Sequence, residues 1–183
     1  LRLAGLEIVK GQGTATGSAW LSWADKSYAF NLRSPGLQIE DLALLKFDPP
    51  FSGRLQLTAT GAGSFDSAEW TIEGSVPDLY VGDEGIGVAV FKLSLAKNVL
   101  TIEKLTANSS TEGRFRADCT GTVATTGLLQ ATLHCGLTQT SIDPYLKFFM
   151  RDMPLTRGIV TGTASLLGPL KDRSQLNATL NLT

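Results

Sequence analysis

The sequence predicts a mainly β protein that is built as an antiparallel sheet with two short helices. Apolar and polar residues alternate with a period of two through much of the chain, as in strands that have one apolar and one solvated face. Short turn sequences rich in Gly, Asn and Asp separate these segments at hairpin spacing, so sequential strands should pair. Two helix-like segments, IEDLALLKFDPPFSG from Ile39 and IDPYLKFFMRDMPLTRG from Ile142, share a pattern.

The first part of the chain predicts three strands and a helix. Residues 1–10 alternate as a strand, and residues 13–23 and 27–32 form a hairpin that turns at Ala24-Asp25-Lys26. Apolar residues at helical spacing then predict a helix from Ile39 to about Phe47. Pro49 and Pro50 should end this helix, because proline disfavours the helical conformation of the residue before it.

The middle of the chain predicts strands separated by turns. Gly53 opens a strand, after which Gly61, Gly63 and Asp66 predict a turn or bulge. Further turns are predicted at the positions given by their sequences, Pro77-Asp78, Gly82-Asp83-Glu84-Gly85 and Lys97-Asn98, with a loop over residues 108–113.

The last part predicts a hairpin, a second helix and two strands. The hairpin turns at Thr125-Thr126-Gly127. Ser141 is a candidate N-cap of the helix, and Pro144 lies in its first turn, where a missing N–H costs little. Residues 158–167 and 176–182 alternate as strands.

The two helix-like segments predict an internal repeat about a hundred residues long. After each helix the same kinds of residue recur: Asp48, Pro50, Phe51, Ser52 and Gly53 correspond to Asp152, Pro154, Leu155, Thr156 and Gly158. We therefore expect residues 1–38 to end one repeat, 39–141 to form a full repeat and 142–183 to begin the next, all within one continuous β domain.

Composition narrows the classes of function. The net charge of −1 gives no electrostatic reason to expect nucleic acid or an anionic membrane as a partner. No apolar run approaches the roughly 20 residues of a membrane helix. The chain begins without Met and ends within the alternating sequence LNATLNLT, so we expect a segment of a longer protein.

The sequence contains no recognisable catalytic or metal-binding constellation. The one histidine, His134, directly precedes Cys135, which is a poor arrangement for a nucleophile and its base and fits no metal-ligand spacing. No glycine string has the spacing of a phosphate-binding loop. We expect no enzyme, no metal and no cofactor.

The two cysteines leave two readings open. Cys119 and Cys135 lie on adjacent arms of a predicted hairpin with the same face parity. A register centred near Gly127 would bring them close enough for a cross-strand disulfide, whereas a slip of two residues would leave two small apolar thiols on the buried face.

The apolar sides of the strands are the main candidate functional feature. They form either the core of a closed sandwich or the lining of an open trough, and alternation alone does not separate the two. The candidate lining residues are Leu55, Leu57, Trp70, Ile72, Phe91, Leu93, Leu95, Leu100, Ile102, Phe115, Val123, Leu129, Leu133, Leu137, Leu176, Leu180 and Leu182.

The order of these motifs resembles a known family. The helix followed by D-x-P, an apolar residue, Ser or Thr and Gly, the turns GSFD and GPLKD, and the hairpin VFKLSLAKNVLTIEKLTANSSTEGRFRADCTGTV together resemble the AsmA-like family of bacterial envelope proteins, in particular the C-terminal half of its TamB-type members. The resemblance covers nearly the whole chain, and it carries no catalytic or ligand-contact signature.

The resemblance implies both a fold and a function. The fold is an antiparallel sheet folded into an open β-taco, with a continuous hydrophobic groove and short helices at the repeat joints. The function is conduction of phospholipids between the inner and outer membranes, by the periplasmic part of an inner-membrane-anchored protein of a diderm bacterium. The implied partners are phospholipid acyl chains, neighbouring repeats of the same chain and an Omp85-type outer-membrane barrel. An oxidising periplasm would allow a disulfide.

Two alternative functions remain open from the sequence. One is a scaffold or chaperone-like module whose strand edges pair with an outer-membrane protein during its assembly. The other is a closed β-sandwich that binds ligands such as carbohydrate, for which Trp20 and Tyr80 are the candidate solvent-facing aromatic residues.

Overall fold

The structure is a computed structural model that describes residues 1–42, 50–108, 116–141 and 159–183, apart from the side chains of residues 84, 141 and 173. The described residues form two 3-10 helices, Ile39–Asp41 and Arg173–Gln175, and the following strands: β1 Arg2–Lys10, β2 Gly13–Ser22, β3 Ser27–Gln38, β4 Phe51–Ser52, β5 Arg54–Ser64, β6 Trp70–Val81, β7 Glu84–Ala96, β8 Val99–Asn108, β9 Arg116–Ala124, β10 Gln130–Ser141, β11 Ile159–Pro169 and β12 Asn177–Leu182.

The strands form one open antiparallel sheet. Their spatial order follows the chain, β1-β2-β3-β5-β6-β7-β8-β9-β10-β11-β12, and β4 pairs with β6 beside β5. The predicted mainly β, antiparallel fold is confirmed, and an open sheet is consistent with the predicted groove. The alternative of a closed sandwich requires two sheets that face each other. It does not describe the residues seen here, because they belong to a single sheet whose edge strands, β1 and β12, do not meet.

Most predicted turns join neighbouring strands of this sheet. Residues 23–26 connect β2 to β3, and Gly82 and Asp83 connect β6 to β7. The β7–β8 hairpin closes at the pair Ala96–Val99 through Lys97 and Asn98, whose φ angles are 51° and 60°. Two positive φ angles are what a tight two-residue hairpin turn needs, because its backbone twist then matches that of the flanking strands.

One predicted turn is wrong, and a second is only partly right because Asp66 alone of its three residues lies in a turn. Strand β6 runs through Pro77 and Asp78, and its register with β7 shifts between Val76 and Leu79. A bulge leaves a residue outside the ladder, so the N–H that proline lacks is not needed there.

Gly61 and Gly63 are also part of a strand, β5, and the chain turns later, at Phe65 and Asp66. Gly61 is required by packing rather than by a turn. A Cβ atom at this position would lie 2.5 Å from the ring of Phe30 on the neighbouring strand, so only glycine allows the ring to approach.

The predicted helices lie largely outside the described residues. The first begins at Ile39 but is described only as the 3-10 turn Ile39–Asp41, and the second falls within residues 142–158. The 3-10 helix Arg173–Gln175 was not predicted. Its first turn is stabilised by Asp172, whose carboxylate accepts hydrogen bonds from the backbone N–H and the hydroxyl of Ser174 and from the amide of Gln175.

Bulges keep apolar residues on one face of the sheet. In β8 the register with β7 shifts so that Glu103 is the extra residue, and Ile102 and Leu105 both pair with apolar residues of β7. In β1 the same role falls to Gly5, whose φ is 70°, so Leu3 and Leu6 lie on the same face. Without a bulge, two residues three positions apart in a strand would point to opposite faces. The extra residue in each bulge therefore brings both apolar side chains to the same face.

The buried core lies at one end of the strands, beside the connection between β3 and β5. Ile39 and Leu55 pack there with Val76 and Ala89, and Val81 forms a second small cluster with Ile86. Phe51 and Leu79 pack against both clusters. The described ends of the connection between β3 and β5, at Ile39 and Phe51, thus pack over one end of the apolar side of these strands.

Each strand that precedes a predicted repeat joint contains a buried hydroxyl residue. Ser34 of β3 is 2% exposed and Thr140 of β10 is 0% exposed. The Ser34 hydroxyl donates to the carbonyl of Thr14 on β2 at 2.7 Å, and the Thr140 hydroxyl donates to the carbonyl of Arg116 on β9 at 2.8 Å. The same type of buried hydrogen bond, from a side-chain hydroxyl to a neighbouring strand's carbonyl, therefore occurs before both predicted joints. The repeat boundaries themselves remain a prediction.

Candidate hydrophobic groove

An unbroken row of apolar residues crosses the whole sheet. Residues that lie directly opposite each other in an antiparallel ladder point to the same face. Following these pairs from strand to strand gives the central row, Leu6, Gly17, Leu32, Ala59, Ile72, Leu93, Ile102, Gly121, Leu133, Leu166 and Ala178. It contains one residue from each of eleven strands and no polar side chain.

Two further rows flank the central row on the same face. The turn-side row is Leu3, Ala19, Phe30, Gly61, Trp70, Leu95, Leu100, Val123, Ala131 and Gly168. The joint-side row is Ser34, Leu57, Gly74, Phe91, Leu105, Cys119, Cys135, Ala164 and Leu180. We call the three rows together the apolar face. None of its members is charged, and the one hydroxyl, that of Ser34, is already hydrogen bonded.

The apolar face is only partly covered. Sixteen of the seventeen predicted lining residues are described, and Phe115 lies outside the described residues. Among the sixteen, Leu55 is buried, Leu180 and Leu182 are exposed, and the others are half-buried. In a closed sandwich these side chains would be buried by the facing sheet, as interiors are close-packed.

The structure brings most of the predicted lining residues together and adds several. Leu129 and Leu176 precede β10 and β12 rather than lying within them, and Leu129 has a φ of 56°. The lining prediction missed members of the first three strands, of β8 and of β11, which are Leu3, Leu6, Phe30, Leu32, Leu105 and Leu166. Phe30 and Leu32 could have been found, because Tyr28, Phe30 and Leu32 alternate in the sequence. Leu3 and Leu6 were hidden by the bulge at Gly5.

Aromatic rings widen the lining where the neighbouring strand has glycine. Gly74 pairs with Phe91, and a Cβ atom at Gly74 would lie 2.9 Å from the Phe91 ring. Tyr28 and Phe30 stack with their ring centroids 6.1 Å apart. Rings that approach a neighbouring glycine in this way add ring carbon to the surface of the apolar face.

The two cysteines pair on the apolar face. Cys135 lies directly opposite Cys119 in the β9–β10 register, and a disulfide joins them. This is the register in which the hairpin prediction allowed a cross-strand bond. The bridge occupies adjacent places in the joint-side row, between Leu105 and Ala164.

Charged residues that interact lie on the opposite face. Lys92 pairs with Glu103 at 2.9 Å, and Arg116 with Asp118 at 2.6 Å. The hydrogen bond from Lys92, followed by one from Ser94, lowers the pKa of the Glu103 carboxyl from its ordinary value. The hydrogen bond to Asp118 raises the pKa of the Arg116 guanidinium. All of these groups are solvated, so they contribute little to stability.

The described residues contain neither a membrane-spanning helix nor a metal-binding group. None of their helices has the length and apolar content to cross a bilayer. Nor do three or more His, Cys, Asp or Glu side chains come together within the four described ranges as they would around a metal ion.

The chain was also compared with known proteins. No protein-family model, no curated protein and no solved structure matches it.

Proposed function

We propose that this chain is a segment of a hydrophobic β-groove that conducts phospholipids between the inner and outer membranes of a diderm bacterium. The observation that carries the proposal is the apolar face, which has no charged side chain, is half open to solvent and has a central row that is continuous from β1 to β12. In this view the chain is the periplasmic part of an inner-membrane-anchored, TamB-type member of the AsmA-like family and serves outer-membrane biogenesis.

The energetics favour acyl chains as the occupant. Each CH₂ group that leaves water for an apolar surface gains roughly 0.8 kcal/mol, so a lipid tail in water is strongly disfavoured. The apolar face offers hydrocarbon and aromatic carbon along its whole length. A polar head group would find no partner there, because the Ser34 hydroxyl is buried and already bonded to the carbonyl of Thr14. Head groups would therefore stay in solvent.

The length of the apolar face suits a path along which lipids move better than a pocket that holds one lipid. Eleven strands in side-by-side order have ten intervals, which at about 4.8 Å each make the apolar face about 48 Å long. One leaflet of a bilayer has a hydrocarbon depth of about 15 Å, half of the usual core. The face is thus about three tail lengths long, and it has no polar group that would hold a lipid at one place.

Neighbouring repeats of the same chain are the proposed partners at the ends. Strand β1 pairs only with β2, and β12 only with β11, among the described strands. Leu6 and Ile8 of β1 and Leu180 and Leu182 of β12 bring the apolar side to both edges. A strand added to either edge would lengthen the groove, and an Omp85-type barrel is the proposed partner beyond it.

Site-specific photocrosslinking in cells tests the proposal. A photoreactive residue would replace Leu93, Leu133 or Leu180 on the apolar face. The matched controls carry it at Ser94, His134 or Asn181, which are the next residues in the chain and lie on the opposite face. We expect phospholipid adducts from the first set and none from the second. Adducts with protein alone at the apolar positions would contradict the proposal.

A second function has one observation in its favour. Every residue of β12 is exposed, and its outer edge carries unpaired backbone groups among the described strands. Such an edge can accept a further strand, so a scaffold that pairs with outer-membrane protein strands during their assembly is the alternative. In the crosslinking experiment this alternative predicts adducts with outer-membrane protein at Asn181 as well as at Leu180.

A further inference from the structure

The polar face of the sheet contains a shallow trough. Two clefts, with volumes of about 320 and 540 Å³, lie next to each other and share Phe30 and Asn31 in their linings. Both linings contain residues of the turn-side row, such as Phe30, together with residues from the two rows of the polar face on either side of it. One row follows the ladder pairs from Ser18 through Asn31 and Thr60 to Thr71. The other contains Trp20, and together the clefts extend from β1 to β7.

Small residues beside a large ring create this trough. Trp20 pairs with Ala29, and Ala29 pairs with Ala62, so the indole has only methyl groups beside it on the β3 side, while Arg2 lies opposite it on β1. On the other side of the trough, hydrogen bonds hold the backbone of Glu69, which precedes β6, in place. Its N–H donates to the Tyr28 hydroxyl at 2.9 Å, and its carbonyl accepts from the same hydroxyl at 3.2 Å.

Several polar side chains that line the trough have no hydrogen-bond partner among the described residues. In the described ranges, the side chains of Ser18, Asn31, Thr60 and Thr71 make no hydrogen bond, and each is at least partly open to solvent. Trp20 is 36% exposed, and its indole packs on no other described aromatic ring. Hydroxyl and amide groups therefore stand free beside an exposed aromatic surface.

This chemistry matches a sugar chain. A pyranose ring has an apolar C–H face, which packs on an indole, and an edge of hydroxyls, which hydroxyl and amide side chains can both donate to and accept from. The trough spans six strands, or about 24 Å at the usual strand spacing, so it is longer than one sugar ring. We propose that it binds an extended glycan chain, with Trp20 stacking on one sugar ring and Asn31 and Thr60 bonding to hydroxyls of the next.

Other ligand classes fit the trough less well. Nucleic acid requires a cationic lining, and the linings of the two clefts contain a single cation, Arg2, and one carboxylate, that of Glu69. A peptide strand adds to the edge of a sheet and not to its face. An acyl chain would prefer the apolar face on the other side of the same strands. The glycan site is thus independent of the proposed lipid path.

The test is calorimetric titration of the chain with two probes, the hexasaccharide of N-acetylglucosamine and cellohexaose. We expect at least one of them to bind, and the difference between them tells whether acetamido groups are recognised. Trp20→Ala should weaken binding at least about tenfold. Trp23→Ala is the matched control, because Trp23 is 73% exposed and lines neither cleft, and it should bind as the unchanged chain does.

A second variant keeps the test informative if Trp20→Ala fails to fold. Ala62→Phe adds a ring to an exposed position and fills the trough without removing any contact. It should abolish binding while the melting temperature stays unchanged. The proposal is overturned if neither hexasaccharide binds at millimolar concentration, if Trp23→Ala weakens binding as much as Trp20→Ala, or if folded Ala62→Phe still binds. Loss of glycan binding with lipid crosslinking retained would show that the two sites are separate.

Discussion

Cys119 and Cys135 face each other across the β9–β10 ladder, and their disulfide lies within the apolar face. The bond therefore has two consequences at once. It closes a hairpin that ends just before the second predicted joint, and it contributes two sulfur atoms to the lining between Leu105 and Ala164. The chain has no other cysteine with which either could exchange.

Reducing this disulfide should destabilise the protein. The two cysteines are separated by 16 residues, and closing a loop of about that length restricts the unfolded chain by about 3 kcal/mol. Urea denaturation with and without dithiothreitol measures the difference. The double variant Cys119→Ala, Cys135→Ala is the control and should be insensitive to the reductant. Equal midpoints for the oxidised and reduced protein would show that the bond does not constrain the hairpin.

A charge on the apolar face should block lipid passage and spare the fold. Leu133→Asp and Leu180→Arg place charges on a half-buried and an exposed position of the face. Since water still reaches both places, the charge stays solvated and the sheet should fold. We expect loss of phospholipid crosslinking downstream of the charge, with an unchanged circular dichroism spectrum. The matched variants His134→Asp and Asn181→Arg alter the opposite face and should change neither measurement.

If Leu133→Asp instead unfolds the protein, the apolar face is sealed in solution. A buried, unpaired charge costs several kcal/mol, which is a large part of the stability of a domain. Thermal unfolding followed by circular dichroism distinguishes the two outcomes.

Two leucines on the same side of the sheet should differ in their contribution to stability. Leu55 is 8% exposed in the cluster beside the joint, and Leu180 is 56% exposed near the last edge. Leu55→Ala should therefore cost about 2–5 kcal/mol in the free energy of unfolding. Leu180→Ala should cost less than about 0.5 kcal/mol. Similar costs for both changes, measured by urea denaturation, would mean that Leu180 is covered in solution.

The buried hydroxyl of Ser34 should contribute to stability through its hydrogen bonds. It donates to the Thr14 carbonyl and accepts from the Gly36 N–H at 3.2 Å. Ser34→Ala leaves both backbone groups without this partner, so we expect a loss of about 1–3 kcal/mol. Ser27→Ala, in the same strand but without a hydrogen bond to its hydroxyl among the described residues, is the control. A loss no greater than the control's would contradict the hydrogen-bond account.

Acid should remove a small part of the stability through Glu103. Lys92 and then Ser94 lower the pKa of its carboxyl by hydrogen bonding. The ordinary value is about 4.3, so the contribution is complete above that pH and is lost as the pH falls through the lower, folded-state value. The Tm difference between the natural chain and Glu103→Gln should be small at pH 7 and should vanish in acid. Glu7→Gln, which removes an exposed carboxylate with no ion pair among the described residues, should show no such trend. A difference that grows in acid would refute the assignment.

Local rules explain what could be predicted along the chain. Lys97 and Asn98 were recognised as a tight turn because a two-residue hairpin needs residues that tolerate positive φ, and this depends on the two residues alone. The parity of one short hairpin allowed Cys119 to pair with Cys135 but left a slipped register open, and only the observed register decided between the two. Pro77 was misread because a proline in a bulge and a proline in a turn look alike without the partner strand.

The sequence by itself determined most of the strands, that sequential strands pair and which side of most strands is apolar. These properties depend on a period of two and on turn residues, which act over a few neighbours. Only the tertiary structure decided that the apolar sides of eleven strands join into one face and that this face stays largely open. Alternation shows that one side of a strand is apolar, but it does not show which part of the protein packs against that side. The cover depends on bulges such as Glu103, on the twist summed over all strands and on where the joint at Ile39 packs.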